Sequence, residues 1–369
     1  MTKVCQITSV HSRYDGRIFS KIAVSLANHG YQSCVLCCDN QPEEVKDGVT
    51  VYSVNFVPKN RIERILLSGR KLFEKAIEID AEIYHLHDPE LLRLGVRLKK
   101  AGKKVIFDSH EDYVAAIREK EWLPKIVRSF IANIYQKKEA SALVKIDGVV
   151  SVTPHIIERL KKINNNTVMI TNYPRLTDPI VHNAQQFSLC FAGGISPQWK
   201  HENIIKALEA FGGKVRYILI GDTSSPYFEN LKKIKGFKYV DALGIMPYSE
   251  VLKNYSKASV GIALNDYVAN VDFRNGSLGN TKLFEFMMAG LPVIGTDFEL
   301  WKTIIEGNNA GICVNPISVD MIAEAIGFLL NNPEKRKEFG INSRKASERQ
   351  YNWKTQEAKL LDFYKTLER

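Results

Sequence analysis

Nowhere do the 369 residues contain an apolar run approaching the ~18–20 residues that a membrane-spanning helix needs, so no transmembrane helix is expected. The first residues, Met1-Thr2-Lys3-Val4-Cys5-Gln6-Ile7, enter a strand-like run directly. No basic segment, longer apolar stretch and small-residue cleavage site come in sequence there, so no signal peptide is expected either. Cysteine is sparse: Cys5, Cys34, Cys37, Cys38, Cys190 and Cys313. Cys34-Val35-Leu36-Cys37 has a Cys-x-x-Cys spacing, but no second pair at zinc-site spacing follows. Most of the thiols sit in apolar runs, and the reading is a reduced, cytosolic protein with buried thiols. There is no Asp-x-Asp pair to hold a divalent cation, no internal repeat and no low-complexity segment.

What is present is ordinary globular composition, 45% hydrophobic and 25% charged, over a length suited to two domains of ~150–200 residues. The net charge of +10 is uneven. Residues 1–186 carry 28 Lys and Arg against 21 Asp and Glu, and the remainder carries 23 against 20. A basic first half suits an anionic partner.

Short β-branched runs alternate with helical stretches, the pattern of parallel α/β sheets. The strands expected in the first half are Val4–Val10, Ser33–Cys38, Thr50–Asn55, Ile83–His87, Lys104–His110, Gly148–Thr153 and Thr167–Asn172. Between the first two, Arg17–His29 reads as a helix with Ile18, Ile22 and Leu26 on one face and Gly30 at its stop. Tyr173–Gln186, polar and containing Pro174 and Pro179, reads as a linker. The alternation restarts with Phe187–Gly194, Val215–Asp222, Phe237–Gly244, Val260–Asn265, Pro292–Asp297 and Ala310–Val314, and Trp353–Leu367 is a last helix. The expectation is two doubly wound parallel sheets facing a cleft: a Rossmann-like domain over 1–175, a second over 186–350, and a helix in 351–369 crossing back to the first. Ligands of such sheets sit at the carboxyl ends of the strands.

The most informative segment is Asn275-Gly276-Ser277-Leu278-Gly279-Asn280-Thr281-Lys282-Leu283-Phe284-Glu285. A loop rich in Gly, Ser and Asn leads into a short helix that Asn280 or Thr281 could cap and Gly290 could end. Its amides and Lys282 suit a diphosphate, and Glu285, one turn on, could accept two hydroxyl hydrogen bonds from a ribose. The plainer alternative is a capped surface helix with a Lys282–Glu285 ion pair. In the first half, Ser9–Arg17 offers guanidinium groups and an acid for a phosphate or acceptor; alternatively Asp15 simply caps the helix that Arg17 opens. Lys125–Lys138 places Ile126, Phe130 and Ile134 on one face, with Val127 and Ile131 beside them and Lys125, Arg128, Lys137 and Lys138 around them. It suits either a membrane interface or a core helix. Asn60–Lys75, with Ile62, Ile65, Leu66, Leu72 and Phe73, is a second such stretch.

Lys282-Leu-Phe-Glu285-Phe-Met-Met-Ala-Gly290-Leu-Pro292-Val-Ile294 resembles the donor-binding motif of the family-4 retaining glycosyltransferases, which have the GT-B fold. Asp15-Gly16-Arg17-Ile18, His85-Leu-His87-Asp88-Pro89-Glu90, Asp108-Ser109-His110-Glu111-Asp112, Phe191-Ala-Gly193-Gly194 and Tyr351-Asn-Trp353 follow in that family's order, so the resemblance spans nearly the whole chain. Ser277 stands where the family often has a first glutamate, and Gly194 where it often has arginine, with Lys200 near its lysine. Both departures resemble a capsule- and O-antigen-like subgroup. The resemblance implies a metal-independent hexosyltransferase without a cofactor, the nucleotide diphosphate sugar being donor substrate. It implies catalytic roles for His110, Lys282 and Glu285. Donor contacts would come from Gly193, Gly194, Lys200, Gly221, Ile245, Ser277, Leu278, Gly279, Asn280 and Thr281. Asp15, Arg17, His87, Asp88 and Glu111 would lie on the acceptor side. The partners implied are a nucleotide sugar, a lipid-linked or glycan acceptor, and an anionic membrane surface at the inner face of the cytoplasmic membrane. A nucleotide-sugar 2-epimerase of the same fold is the alternative, although no acid/base carboxylate set for it can be assembled. A basic nucleic-acid-binding protein is the alternative of another class, and no recognition motif supports it.

Overall fold

A computed structural model describes residues 1–60, 63–119 and 124–368 of the protein. The chain forms two compact units, one of residues 1–172 with 354–369 and one of residues 173–353.

The first unit is built on an eight-stranded sheet of order β3-β4-β2-β1-β5-β6-β7-β8. Its strands are β1 (Lys3–Ile7), β2 (Gln32–Cys37), β3 (Glu44–Lys46), β4 (Val49–Ser53), β5 (Ile83–Leu86), β6 (Lys104–Ser109), β7 (Gly148–Ser151) and β8 (Thr167–Met169). All neighbours pair in parallel except β3 with β4. Cys5, Ile7, Tyr84, Leu86 and Phe107 pack against Leu72 and Ala76 of the helix Gly69–Ile79 and Leu94 and Leu98 of the helix Leu92–Lys100. The opposite face buries Ile18 and Phe19 against Val35 and Val51. Burial on both faces explains why these strands read as continuous apolar runs rather than as alternation.

The second unit carries six parallel strands, β9 (Ser188–Ala192), β10 (Arg216–Ile220), β11 (Val240–Gly244), β12 (Val260–Ala263), β13 (Val293–Thr296) and β14 (Gly311–Val314), in the order β11-β10-β9-β12-β13-β14. That is the 3-2-1-4-5-6 order of dinucleotide-binding folds, with the reversal between β9 and β12; in the first unit it lies between β1 and β5. The helix Lys282–Met288 lies against β12, where Gly261 leaves the space that the Phe286 ring fills.

Each of the thirteen expected strands is present, with ends within three residues of those expected. The edge strand β3 was not foreseen, because Glu44, Val45 and Lys46 carry no apolar pattern and Val45 is exposed. The Arg17–His29 helix opens as a π-turn, Ile18–Ala23, before the α-helix Val24–Asn28. Ile18, Ile22 and Leu26 are buried as expected, and Gly30 at φ +85° follows the helix end. Residues 173–186 carry no strand or helix, yet they are strapped to the second unit. Pro174 O accepts from Trp353 N (2.8 Å), Thr177 O from Arg344 Nη2 (2.7 Å), and Asn183 N donates to Ser256 O (2.9 Å). Polar composition signalled a linker, but the unpaired backbone of such a stretch still has to find partners.

Lys125–Lys138 falls within the helix Lys125–Leu143, whose large apolar residues Ile126, Val127, Phe130, Ile131 and Ile134 face solvent while Ala132 is buried. In the second basic stretch Leu72 is buried, whereas Ile62 and the side chains of Ile65 and Leu66 lie outside what is described. Among the described residues no helix is long and apolar enough to cross a membrane.

Candidate active site

A cavity of about 390 Å³ opens at the carboxyl ends of β9, β10 and β11. Ala192 and Gly193 end β9, Ile220, Gly221 and Asp222 end β10, and Ile245, Met246, Tyr248 and Val251 follow β11. Lys282 and Glu285 enter from the first turn of the Lys282–Met288 helix. The floor is glycine for steric reasons. A Cβ on Gly193 would collide with Lys282 Cε, and one on Gly221 would meet Gly193 O. The lysine stem therefore lies directly over the backbone at the end of β9.

Lys282 and Glu285 do not form the surface ion pair of the plainer alternative. No acceptor among the described residues engages the Lys282 ammonium. Glu285 Oε2 accepts from the buried Tyr255 hydroxyl (3.1 Å), and its other oxygen accepts no hydrogen bond from them. Burial, followed by the Glu285 charge, raises the pKa of both Tyr255 and Tyr248, so both remain neutral donors. Two half-buried groups, a cation and a carboxylate oxygen, are thus left for something that enters the cavity. Tyr255, Tyr248 and Met246 were missed from sequence. The seven-residue spacing of the two tyrosines on the helix Tyr248–Ser256 was the available signal, since it puts them on one face.

The structure separates other expected donor residues from this cavity. Gly194 follows Gly193 but does not line it. Lys200 sits in left-handed backbone (φ +46°) and its ammonium pairs with Asp266 (2.5 Å). Thr281 does not cap the helix through its side chain: its backbone is already helical (φ −74°, ψ −20°), whereas capping needs an extended residue. Ser277 is buried; its Oγ accepts from Gly279 N (3.0 Å) and its O from Trp301 Nε1 (2.9 Å), so the Gly279 amide is already used. Leu278 is buried, and Asn280 Nδ2 is a buried donor without a hydrogen-bond partner among the described residues.

In the first unit a second cluster forms at the carboxyl ends of β1, β5 and β6, beside that sheet's reversal. Asp15 Oδ1 accepts from Arg17 N (2.8 Å) and Ile18 N (2.9 Å), so the capping alternative is the one realised. Arg17 is not held out to a ligand: it is buried and forks onto Asp108 of β6 (2.8 and 3.0 Å). Burial works to raise the Asp108 carboxyl, but Arg17, His110 and His87 overcome it and hold it well below the usual range. His110 Nε2 lies 3.3 Å from both Asp108 Oδ2 and His87 Nδ1. Burial lowers the His87 ring, whose Nε2 is 2.9 Å from Gln6 Oε1. Asp88 is buried and accepts from Thr8 Oγ1 (2.8 Å) and Ser9 N (2.6 Å). His11 spans Asp15 (3.4 Å) and Asp88 (3.5 Å), and the Asp15 hydrogen bond raises its pKa. Glu111 is exposed, away from this network. His85, His87 and Asp108 are close enough to hold a cation. They do not suit one, because Asp108 is committed to Arg17 and a cation would leave a buried guanidinium unpaired. His110, His11 and Asp15 are the partly exposed members, and so the ones able to meet a substrate.

Residues 174–346 match the family model described as glycosyl transferases group 1, and residues 16–172 match that of glycosyltransferase family 4. An uncharacterized glycosyltransferase of Methanocaldococcus jannaschii, MJ1069, is 30% identical over 173 residues, 46% of this chain and 42% of the relative. The chain thus spans less than half the length of the curated relative it matches. Sucrose-phosphate synthase from Thermosynechococcus elongatus superposes with a TM-score of 0.75 at 15% identity, over 100% of this chain and 99% of the other. Anabaena Alr3699/HepE, solved with UDP-glucose, superposes at 0.74 and 12%, over 99% and 100%. At such identities the likeness shows the fold, GT-B, with two Rossmann-like parallel-sheet domains. Both family models and the fold are those of glycosyltransferases.

Proposed function

With both halves of the chain matching glycosyltransferase models, we propose a retaining hexosyltransferase that takes its sugar from a nucleotide diphosphate sugar. The acceptor is a lipid-linked or glycan molecule in surface-polysaccharide synthesis of the capsule or O-antigen kind, met at the cytoplasmic face of the membrane. The observation that carries this reading is Lys282, uncommitted and laid over the glycine floor of β9 and β10, with Glu285 one turn away. The base sits towards Ile245 and Tyr248, the ribose hydroxyls donate to Glu285, and the diphosphate meets Lys282 above Gly193. As the acceptor hydroxyl attacks the anomeric carbon, the bond to the β-phosphate oxygen breaks and its electron pair stays on the phosphate. Attack on the same face lets that oxygen take the acceptor's proton, which retains configuration. Lys282 opposes the charge that grows on the leaving diphosphate, an effect worth more in the transition state than in the ground state. His110 hydrogen-bonds the transferred sugar. The reaction uses neither cofactor nor metal, the cation's work falling to Lys282.

UDP is the first nucleotide to test, because the similar Anabaena structure holds UDP-glucose. Calorimetric titration with UDP and GDP should show one to bind. Lys282→Ala should lower kcat/KM on the order of 10²-fold, with a smaller loss in nucleoside affinity, and Glu285→Gln should chiefly weaken nucleotide binding. Turnover should persist in excess EDTA. Binding of neither nucleotide, or two folded variants that turn over like the parent, would remove this assignment.

A further inference from the structure

The helix Lys125–Leu143 packs on the rest of its unit through Ala132 and its C-terminal half. Ala132, Glu139, Ala142 and Leu143 are buried. Upstream, Ile126 is 86% exposed and Phe130 65% exposed, and Val127, Ile131 and Ile134 are exposed as well. Ile126, Phe130 and Ile134 recur every four residues and so form one stripe, with Val127 and Ile131 alongside. Lys125, Lys137 and Lys138 are exposed and Arg128 half-buried around that stripe. Glu139 is the helix's one carboxylate, and it is buried and tied to Arg159. The outer face therefore combines five large apolar side chains with four cations and no anion.

We propose that this face is a docking surface for an anionic lipid bilayer, into which Ile126 and Phe130 insert while the four cations meet headgroup phosphates. It deepens the proposed function by fixing which surface meets the membrane that carries the acceptor, and rests on that reading for its purpose alone. Apolar side chains displayed beside Lys and Arg suit an interface that is oily below and negative above. A second copy of the chain fits the face poorly. In a two-fold contact the four cations would oppose four others, and lysine is depleted from protein interfaces. A purely electrostatic partner would leave the stripe of Ile and Phe unexplained.

The test is co-sedimentation of the full chain with vesicles of phosphatidylcholine alone and of phosphatidylcholine with phosphatidylglycerol, at low and high salt. The chain should bind the anionic vesicles and release as salt rises, because exposed charges are screened within ~8–10 Å. The triple variant Lys125→Glu, Lys137→Glu, Lys138→Glu should lose on the order of 100-fold in partitioning, at about fivefold per cation. Ile126→Ser with Phe130→Ser should lose at least about tenfold while melting like the parent, since both side chains already face water. Equal binding to neutral vesicles, no binding to anionic ones, or variants that bind like the parent would overturn the proposal. So would a dimer in sedimentation velocity that the Ile126, Phe130 variant dissociates. UDP titration of the same samples keeps the two readings apart: vesicle binding without nucleotide binding sinks the proposed function alone, and the converse sinks the membrane surface alone.

Discussion

Lys282 illustrates how one side chain can be fixed by a neighbour that has none. Its Cε passes where a Cβ on Gly193 would stand, so the ammonium is delivered along the end of β9 only while that position is glycine. Gly194 is next in sequence, but a Cβ there would meet nothing within 4 Å. The two positions therefore form a matched pair. Gly193→Ala pushes on the far end of a flexible lysine and puts a side chain on backbone at φ +158°, so it moves the charge and also costs some stability. A displacement of about 1 Å at such a group can cost on the order of 10²-fold in rate, so kcat/KM, measured below the variant's melting transition, should fall on that order. Gly194→Ala should be close to silent in both rate and stability. Equal losses for the two variants would mean that the turn binds donor through its backbone and that the path of Lys282 is incidental. Arg17 is the contrasting case: an arginine after the first strand suggested a ligand contact, but a fully buried carboxylate 91 residues along claims it.

At the level of elements, the Lys282–Met288 helix is located by packing rather than by its caps. Thr281 gives it no side-chain cap, and the helix has only seven residues, too few to persist alone. Leu283, Phe284, Phe286, Met287 and Met288 are all buried, and Phe286 fills the space over Gly261 of β12. Gly261→Ala should thus lift the helix, costing about 1–3 kcal/mol as an overpacked core does, and should weaken UDP binding in parallel, read by a melting curve beside calorimetry. A destabilised variant with parental nucleotide affinity would show that Lys282 and Glu285 do not serve the nucleotide. The same helix shows what was legible in the sequence. Strands buried on both faces betray themselves as apolar runs, and the Lys282–Glu285 spacing places both residues at one turn, so the strands and these two lining residues of the cavity could be read. Partners distant in sequence could not: periodicity reports which face a residue occupies, never what lies across from it. That is why Arg17 and Lys200 were read as open to ligands when Asp108 and Asp266 hold them. It is also why Tyr255, 30 residues before Glu285, was missed.

Across the whole molecule, buried histidines set the response to acid. Burial lowers His85 and His87 in the first unit, and lowers His201, hydrogen-bonded to the Tyr217 hydroxyl (2.9 Å), to about 3 in the second. Each therefore holds its proton less readily when folded than when unfolded, where it takes one up near pH 6.5. The unfolded chain then binds more protons, so stability falls as pH falls through that window. For His201 the loss is roughly 1 kcal/mol between pH 6.5 and 5.5, and His85 and His87 act in the same direction. His11 acts in the opposite sense: its raised folded value contributes stability that is full below about pH 6.5 and is lost as pH rises through the folded value, offsetting part of the first unit's loss. The depressed carboxylates Asp15, Asp39 and Asp108 are ionised throughout, so they add no slope above pH 5.5. Urea midpoints at pH 7.5, 6.5 and 5.5 should therefore fall most over the last step. His201→Gln, which cannot take up a proton in either state, should be less stable at pH 7.5 yet lose about 1 kcal/mol less than the parent between pH 6.5 and 5.5. A variant whose pH slope matches the parent's would show that His201 is protonated in the folded protein and that its burial does not exclude the charge.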